Sequence, residues 1–251
     1  MKLSKLLLVP VVVLGMMNCA SAQHSYAVLS LVGDSLTLQA NRHEVGSHTN
    51  NAPRQVLAMS DQLFDQLTLI AARGGIAALQ PDAKAVLMAT QDPGLYRAQN
   101  AMFEQPEAHQ EDRDYLKSLL KDQGVSYLVL ISKYRSNAVM ELDNAMIGSG
   151  ALEGLGFYVD DMINIRNTTT NDTARGIMVP FAYLRLRLLD ARTLEVVRET
   201  TVRKSRINAR PSVESSGMDS FNDLNGTDKA KQIRAVLEDA MAGALPAVLA
   251  P

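Results

Sequence analysis

A chain of 251 residues with 47% hydrophobic and 21% charged residues has the composition of a folded soluble protein, long enough for one large domain or two small ones. With 25 lysines and arginines against 27 acidic residues, the formal charge of −2 offers no basic surface for nucleic acid and excludes that class of partner. The single cysteine, Cys19, excludes a disulfide framework.

The only long apolar run opens the chain, where Lys2 and Lys5 precede Leu6-Leu7-Leu8-Val9-Pro10-Val11-Val12-Val13-Leu14. It is too short to span a bilayer and leads to Ala20-Ser21-Ala22, the small-x-small pattern that signal peptidase cuts after. Residues 1–22 therefore read as a removed secretory signal peptide, and residues 23–251 as a single periplasmic α/β domain with no transmembrane helix. Cys19 raises lipid anchoring, but Asn18 before it fits lipoprotein processing poorly, so the cut after Ala22 is preferred. Loss of Lys2 and Lys5 leaves 23 basic residues against 27 acidic ones, a net charge of −4.

Next, AVLSLV and SLTLQA flank Gly33-Asp34, which predicts an amino-terminal hairpin with glycine in a type II′ turn. Pro53 opens a helical pattern in which Val56, Met59, Leu63, Phe64, Leu67 and Ile70 form one stripe, ended by Gly74-Gly75. Ala83 to Thr90 reads as a short buried strand. A helix broken near Pro106 follows, firmest from Glu111 to Gln123, with Tyr115, Leu116, Leu119 and Leu120 buried and Gly124 as cap. VSYLVLISKY (125–134) is apolar on both faces, as a central strand is. Residues 135–180 form an insertion, an extended hairpin or excursion with Asn167 to Asp172 at its tip. Phe181 to Val202 alternates Leu184, Leu186 and Leu188 against Tyr183, Arg185 and Arg187, turns at Asp190-Ala191-Arg192-Thr193, and resumes with Val196 and Val197: a second hairpin with one buried and one wet face. Arg203 to Gly226 is a polar loop. A last helix, started by Asn225 or Thr227, buries Ile233, Val236, Leu237, Ala240, Met241 and Ala244 and bends or ends at Pro246. The order predicts an α/β fold: a mixed sheet of five to seven strands with helices packed on it.

Gly124, Tyr127, Leu128 and Val129 on the central strand, and Asp190, Thr193, Glu195 and Val196 on the hairpin, fall on a pattern that resembles the periplasmic domains of the TolB amino-terminal, curli-secretion lipoprotein and penicillin-binding-protein-activator group. Leu194 stands where that group has glycine. The resemblance implies an α/β fold in the envelope and a role in assembly, regulation or secretion.

Gly33-Asp34-Ser35-Leu36 matches the first block of GDSL esterases, which would make Ser35 a nucleophile with Asp34 beside it. Such a site needs a base. All four histidines (His24, His43, His48 and His109) lie before residue 110, so His43 or His48 would have to serve in an unorthodox place. His43-Glu44 and His48 lack the spacing of a metal-binding helix, and no metal or cofactor is predicted. Arg185, Arg187, Arg198, Arg203, Lys204 and Arg206 form a basic face able to meet carboxylates or lipid headgroups. Leu152, Leu155, Phe157 and Tyr158 either present an apolar surface to a partner or tuck into the domain's own core. The reading as a whole is a periplasmic envelope protein acting by binding another envelope protein or the membrane surface, with the GDSL esterase as the alternative.

Overall fold

The computed structural model describes residues 24–41, 54–59, 61–142, 145–166, 173–206 and 221–250. The expected signal peptide with Cys19, the loop with His43 and His48, the tip 167–172 and most of the polar loop after Ser205 lie outside these residues.

The fold is α/β as expected, with nine strands in the main sheet among the described residues. Strand β1 (Ser25–Ser30) is followed by β2 (Ser35–Asn41), β3 (Arg54–Ala58), helix α1 (Leu63–Leu79) and β4 (Lys84–Met88). Three helices, α2 (Pro93–Ala98), α3 (Ala101–Glu104) and α4 (Gln110–Leu120), lead to β5 (Tyr127–Lys133). Short strands β6 (Arg135–Asn137), β7 (Met140–Leu142) and β8 (Ala145–Ile147) precede the long β9 (Ala151–Arg166) and β10 (Thr173–Asp190), then β11 (Val196–Ser205) and helix α5 (Gly226–Leu249).

The eighteen-residue β10 organises the sheet. Along one edge it carries β9 against residues 173–183 and then β5 against residues 184–190, both antiparallel, while β11 lies along its other edge. β5 and β9 are thus laid end to end. β1 runs parallel to β5 and β2 parallel to β9, so β1 and β2 are also end to end, extended outward by β4 and β3 respectively.

The expected amino-terminal hairpin is therefore absent. Ser30 to Ser35 breaks a strand that carries on in the same direction, and β1 and β2 never pair. The Pro53 helix is also corrected: Arg54 to Ala58 pairs with the outer edge of β2, and the helix starts only at Leu63. It does not end at Gly74-Gly75, because Gly75 faces α5, where a Cβ would overlap the Leu245 side chain; the missing side chain is what lets the two helices close. Pro246 sits inside α5, which continues to Leu249. Tyr115 is 41% exposed, and Leu116 and Leu120 carry the buried face of α4.

Three cores result. The first lies between the sheet and α1 and α5, and holds Val28, Val129, Leu184, Leu186, Ile76, Val236 and Leu245. On the opposite face Ala27, Leu29, Leu128 and Leu130 meet Leu95, Met102 and Leu116 of the α2–α4 layer. The third is roofed by β6–β8, with Ala138 and Met140 over Tyr158, Val179, Phe181 and Tyr183. Both faces of β10 are consequently covered, which corrects the expected wet face on that strand: Tyr183 is 0% and Arg187 2% exposed. Residues 151–160 and 177–190 belong to the body of the sheet, so the expected 135–180 insertion reduces to two smaller features, the β6–β8 flap and the distal part of the β9–β10 hairpin.

Candidate functional site

The parallel trio β4–β1–β5 is wound in two directions. The connection from β1 to β4 includes α1 on one face, and the connection from β4 to β5 runs through α2–α4 on the other. In such sheets the carboxyl ends of the strands form the usual ligand crevice. Here that position is filled by a polar clamp. Asp65, in the first turn of α1 and 2% exposed, accepts hydrogen bonds from Ser30 Oγ (2.6 Å), the Val32 and Gly33 amides (3.0 and 3.1 Å) and the Tyr96 hydroxyl (2.6 Å). Burial, followed by the Asp65 carboxylate, pushes the Tyr96 hydroxyl well above its ordinary value, so it remains a donor. Gly33 is required by packing, since a Cβ there would come within 2.6 Å of the Asp65 backbone nitrogen. The clamp satisfies the backbone amides freed where the strand breaks.

Next to it, Ser35 begins β2 as an ordinary strand residue. Its hydroxyl accepts from Lys133 Nζ at 2.7 Å, and Lys133 also pairs with Asp34. The esterase reading wanted a histidine here. His24 stacks near Tyr26 and Tyr127 at the amino end of β1, His109 binds Asp112 at the start of α4, and His43 and His48 lie outside the described residues. Lys133 thus engages both the Asp34 carboxylate and the Ser35 hydroxyl.

Of the proposed basic face, Arg185 and Arg187 are built into the structure, while Arg203, Lys204 and Arg206 stay exposed. Arg187 donates to Glu199 (2.6 Å) and Asn100 Oδ1 (3.0 Å) and lies 4.8 Å from the Phe103 ring centroid. Burial lowers its pKa and the Glu199 carboxylate works against that shift. Arg185 pairs with Glu104 and Glu199. These arginines tie β10 to α3 and β11, because the helical layer covers the sheet face they point from. The apolar candidates took the second of their two alternatives. Leu155 and Phe157 pack under the helices, with Phe157 against Phe221 at 5.3 Å, and Leu152 and Tyr158 pack under the flap. All four are at most 1% exposed, so they form no surface for a partner.

What the 135–180 region does present is its distal end. Beyond Asp160, the last β9 residue paired with β2, and before Pro180, whose carbonyl receives the Arg206 amide, β9 and β10 pair only with each other among the described residues. Asp160 anchors this arm by accepting from Asn41 Nδ2 (2.8 Å), the Tyr158 hydroxyl (3.1 Å) and the Met162 amide (2.9 Å). Met162 on the arm and Met146 on the flap are 46% and 67% exposed, and their neighbours Ile163 and Ile147 pack on the same cluster.

Sequence reasoning missed Asp65, Tyr96 and Lys133. A signal existed for Asp65, a lone carboxylate inside an otherwise apolar helical pattern; nothing marked the other two. Among the described residues no group of three His, Cys, Asp or Glu is placed to hold a metal, and no helix is long and apolar enough to cross a membrane.

No family model matches the chain, and neither does any curated protein. Among solved structures it is similar to the lipoprotein GNA1162 from Neisseria meningitidis, at 10% identity over 86% of this chain and 96% of that one, with a TM-score of 0.31. The PelC dodecamer from Paraburkholderia phytofirmans matches at 10% identity over 91% and 89%, with a TM-score of 0.31. Protein XCC0632 from Xanthomonas campestris matches at 10% identity over 88% and 80%, with a TM-score of 0.36. Superposition this loose carries no argument about what the chain does.

Proposed function

We propose that the chain is a secreted protein of the Gram-negative periplasm that works by binding another envelope protein, with the β9–β10 arm and the adjoining flap as its contact surface. One observation supports this most: the arm runs beyond the last flanking strands with both edges open among the described residues, and exposes two methionines beside it. Open strand edges offer backbone hydrogen bonds to an added strand, and methionine adapts its flexible thioether to varied partners. The basic leader pattern of residues 1–22 and the TolB-type resemblance give the envelope setting. No cofactor is called for.

The test is a pull-down from envelope extract using the chain and a variant in which residues 161–175 are replaced by an Asn-Gly turn. The chain is expected to retain a partner that the variant loses, at unchanged circular dichroism and melting temperature. Equal retention by both overturns the assignment to the arm, and recovery of lipid vesicles alone would make the membrane surface the partner. Hydrolysis of a generic acyl ester that Ser35→Ala abolishes would replace the binding reading with the esterase one.

A further inference from the structure

Beyond β6 the flap is held to the body of the protein by side chains. β7 and β8 pair only with each other among the described residues, and a two-stranded ribbon is marginal by itself. Two buried tyrosines fasten its two ends. The Tyr183 hydroxyl accepts the Val139 amide (3.0 Å) and donates to the Val139 carbonyl (3.1 Å), and the Tyr158 hydroxyl accepts the Ser149 amide (3.2 Å). Gly148 and Gly150, on either side of Ser149, both have positive φ (133° and 79°), and a Cβ at Gly148 would come within 2.5 Å of the Ala138 carbonyl oxygen. The neck of the flap is therefore a close crossing that needs glycine, a residue that takes up further changes in φ at little cost.

The same Tyr158 hydroxyl reaches the arm. It donates to Asp160 Oδ2 (3.1 Å), on the carboxylate that also receives Asn41 Nδ2 and the Met162 amide where the arm leaves the sheet. Burial raises the Tyr158 pKa, so the hydroxyl keeps the proton it donates. An apolar link runs beside the polar one, since Ile147 of the flap and Ile163 of the arm pack on the cluster that holds Tyr158. Flap and arm thus meet through one tyrosine without pairing as strands among the described residues.

We infer that the flap is a latch on the arm: seated, it fixes the Tyr158 hydroxyl and through it Asp160, and lifted, it frees the arm to bend at Asp160. The latch follows from the geometry at the arm's root, and its use in regulating a partner rests on the arm being the contact surface. A hydroxyl that accepts the Ser149 amide is the stronger donor to Asp160, because hydrogen bonds in a chain polarise one another. Once the flap lifts, that hydroxyl is uncovered and water competes with it for the carboxylate. Tyr158 is therefore a positioning residue for the arm. Met146, 67% exposed on the flap, gives a partner a handle on the latch, so a partner that prefers one flap position sets how stiffly the arm is held.

The experiment is amide hydrogen exchange on the whole chain and three variants. Tyr158→Phe keeps the ring and removes the hydroxyl, whereas Gly148→Ala drives a methyl group into the Ala138 backbone and forces the neck open without touching Tyr158 or the arm. Each is expected to speed exchange of the arm amides, 161–166 and 173–176, by about tenfold, the scale of one hydrogen bond in a local opening, while the β1 and β5 amides exchange as before. In the double variant the arm exchanges no faster than in Tyr158→Phe alone, because both changes act through the same hydroxyl. Arm exchange left unchanged by Gly148→Ala, effects that multiply in the double variant, or equal acceleration in β1 and β5 overturns the inference. No partner enters these measurements, so a failed latch and a failed pull-down are separate results.

Discussion

Gly33-Asp34 and Asp190 to Leu194 look alike in sequence, each a short polar break between alternating apolar runs, yet only the second reverses the chain. The difference lies in where the hydrogen bonds go. At the second break most are local, although the Ala191 amide also donates to the Ser126 carbonyl and Arg113 to the Thr193 carbonyl. The Asp190 carboxylate accepts the Arg192 and Thr193 amides (2.9 and 3.0 Å), the Leu194 amide donates to the Asp190 carbonyl, and the Asp190 amide donates to the Glu195 carbonyl. At the first break they are distant: Val32 and Gly33 donate to Asp65, Leu31 to the Ile131 carbonyl, and the Asp34 carbonyl receives Met59. Gly33 does not adopt the positive φ that a type II′ turn requires. A break satisfied by its own residues can be read from its own residues. One satisfied by another element cannot.

The comparison is broken most directly at Asp65. Asp65→Ala leaves Ser30, the Val32 and Gly33 amides and the Tyr96 hydroxyl without their buried acceptor, and is expected to cost about 3–5 kcal/mol in urea unfolding. A cost near that of an exposed substitution such as Arg192→Ala would mean that the first break holds itself after all. Gly33→Ala drives a methyl group into the Asp65 backbone and carboxylate and should cost about 3 kcal/mol, because neither can retreat from the helix start they belong to. Its measurement is the same unfolding curve.

The same division separates what was legible from what was not. The β10–β11 hairpin, the β5 strand, the β4 strand and the closing helix follow from alternation and 3.6-residue periodicity within single segments, and they stand where those patterns put them. Asn225 caps the last helix by accepting the Asp228 amide at 2.9 Å, and Gly124 takes φ +61° at the end of the α4 segment, both from local chemistry. Val56 and Met59 have helical spacing with Leu63, but the free edge of β2 takes Arg54 to Ala58 as a strand, a tertiary override of a local pattern. Arg185 and Arg187 alternate as a solvated face would, and only the arrival of α3 with Glu104, Asn100 and Phe103 buries them. Ser35 carries an esterase-like neighbourhood in sequence, while Lys133, 98 positions away, determines what its hydroxyl touches.

Leu194 sharpens the comparison from the local side. It is the one non-glycine residue with positive φ (59°) among the described residues, a backbone conformation better suited to glycine. A left-handed leucine costs about 1–2 kcal/mol of backbone energy, which its burial among Leu29, Leu128 and Leu189 offsets. Leu194→Ala retains the backbone cost and loses the burial, for about 2 kcal/mol. Leu194→Gly loses the burial but relieves the backbone, and should be about 1 kcal/mol less damaging than the alanine variant. If the glycine variant is the worse of the two, the turn is held by the α2–α4 layer and not by its own residues.

The smallest effect belongs to Asp190. Its carboxylate is held below the ordinary value first by the Thr193 amide and then by the Arg192 amide. A depressed folded value contributes stability that is fully present above the unfolded value of 3.8 and is lost as the pH falls through the lower folded value. The parent chain should therefore lose slightly more stability on acidification below that point than Asp190→Asn does, with the loss kept small by solvent around an exposed group. Unfolding curves from neutral pH into that acidic range measure it. Identical acid profiles would mean that the turn's hydrogen bonds persist in the unfolded chain, since only a group with the same proton affinity in both states drops out of the linkage. That outcome would extend the comparison to its limit: one break that forms without the fold, and another that exists only because of it.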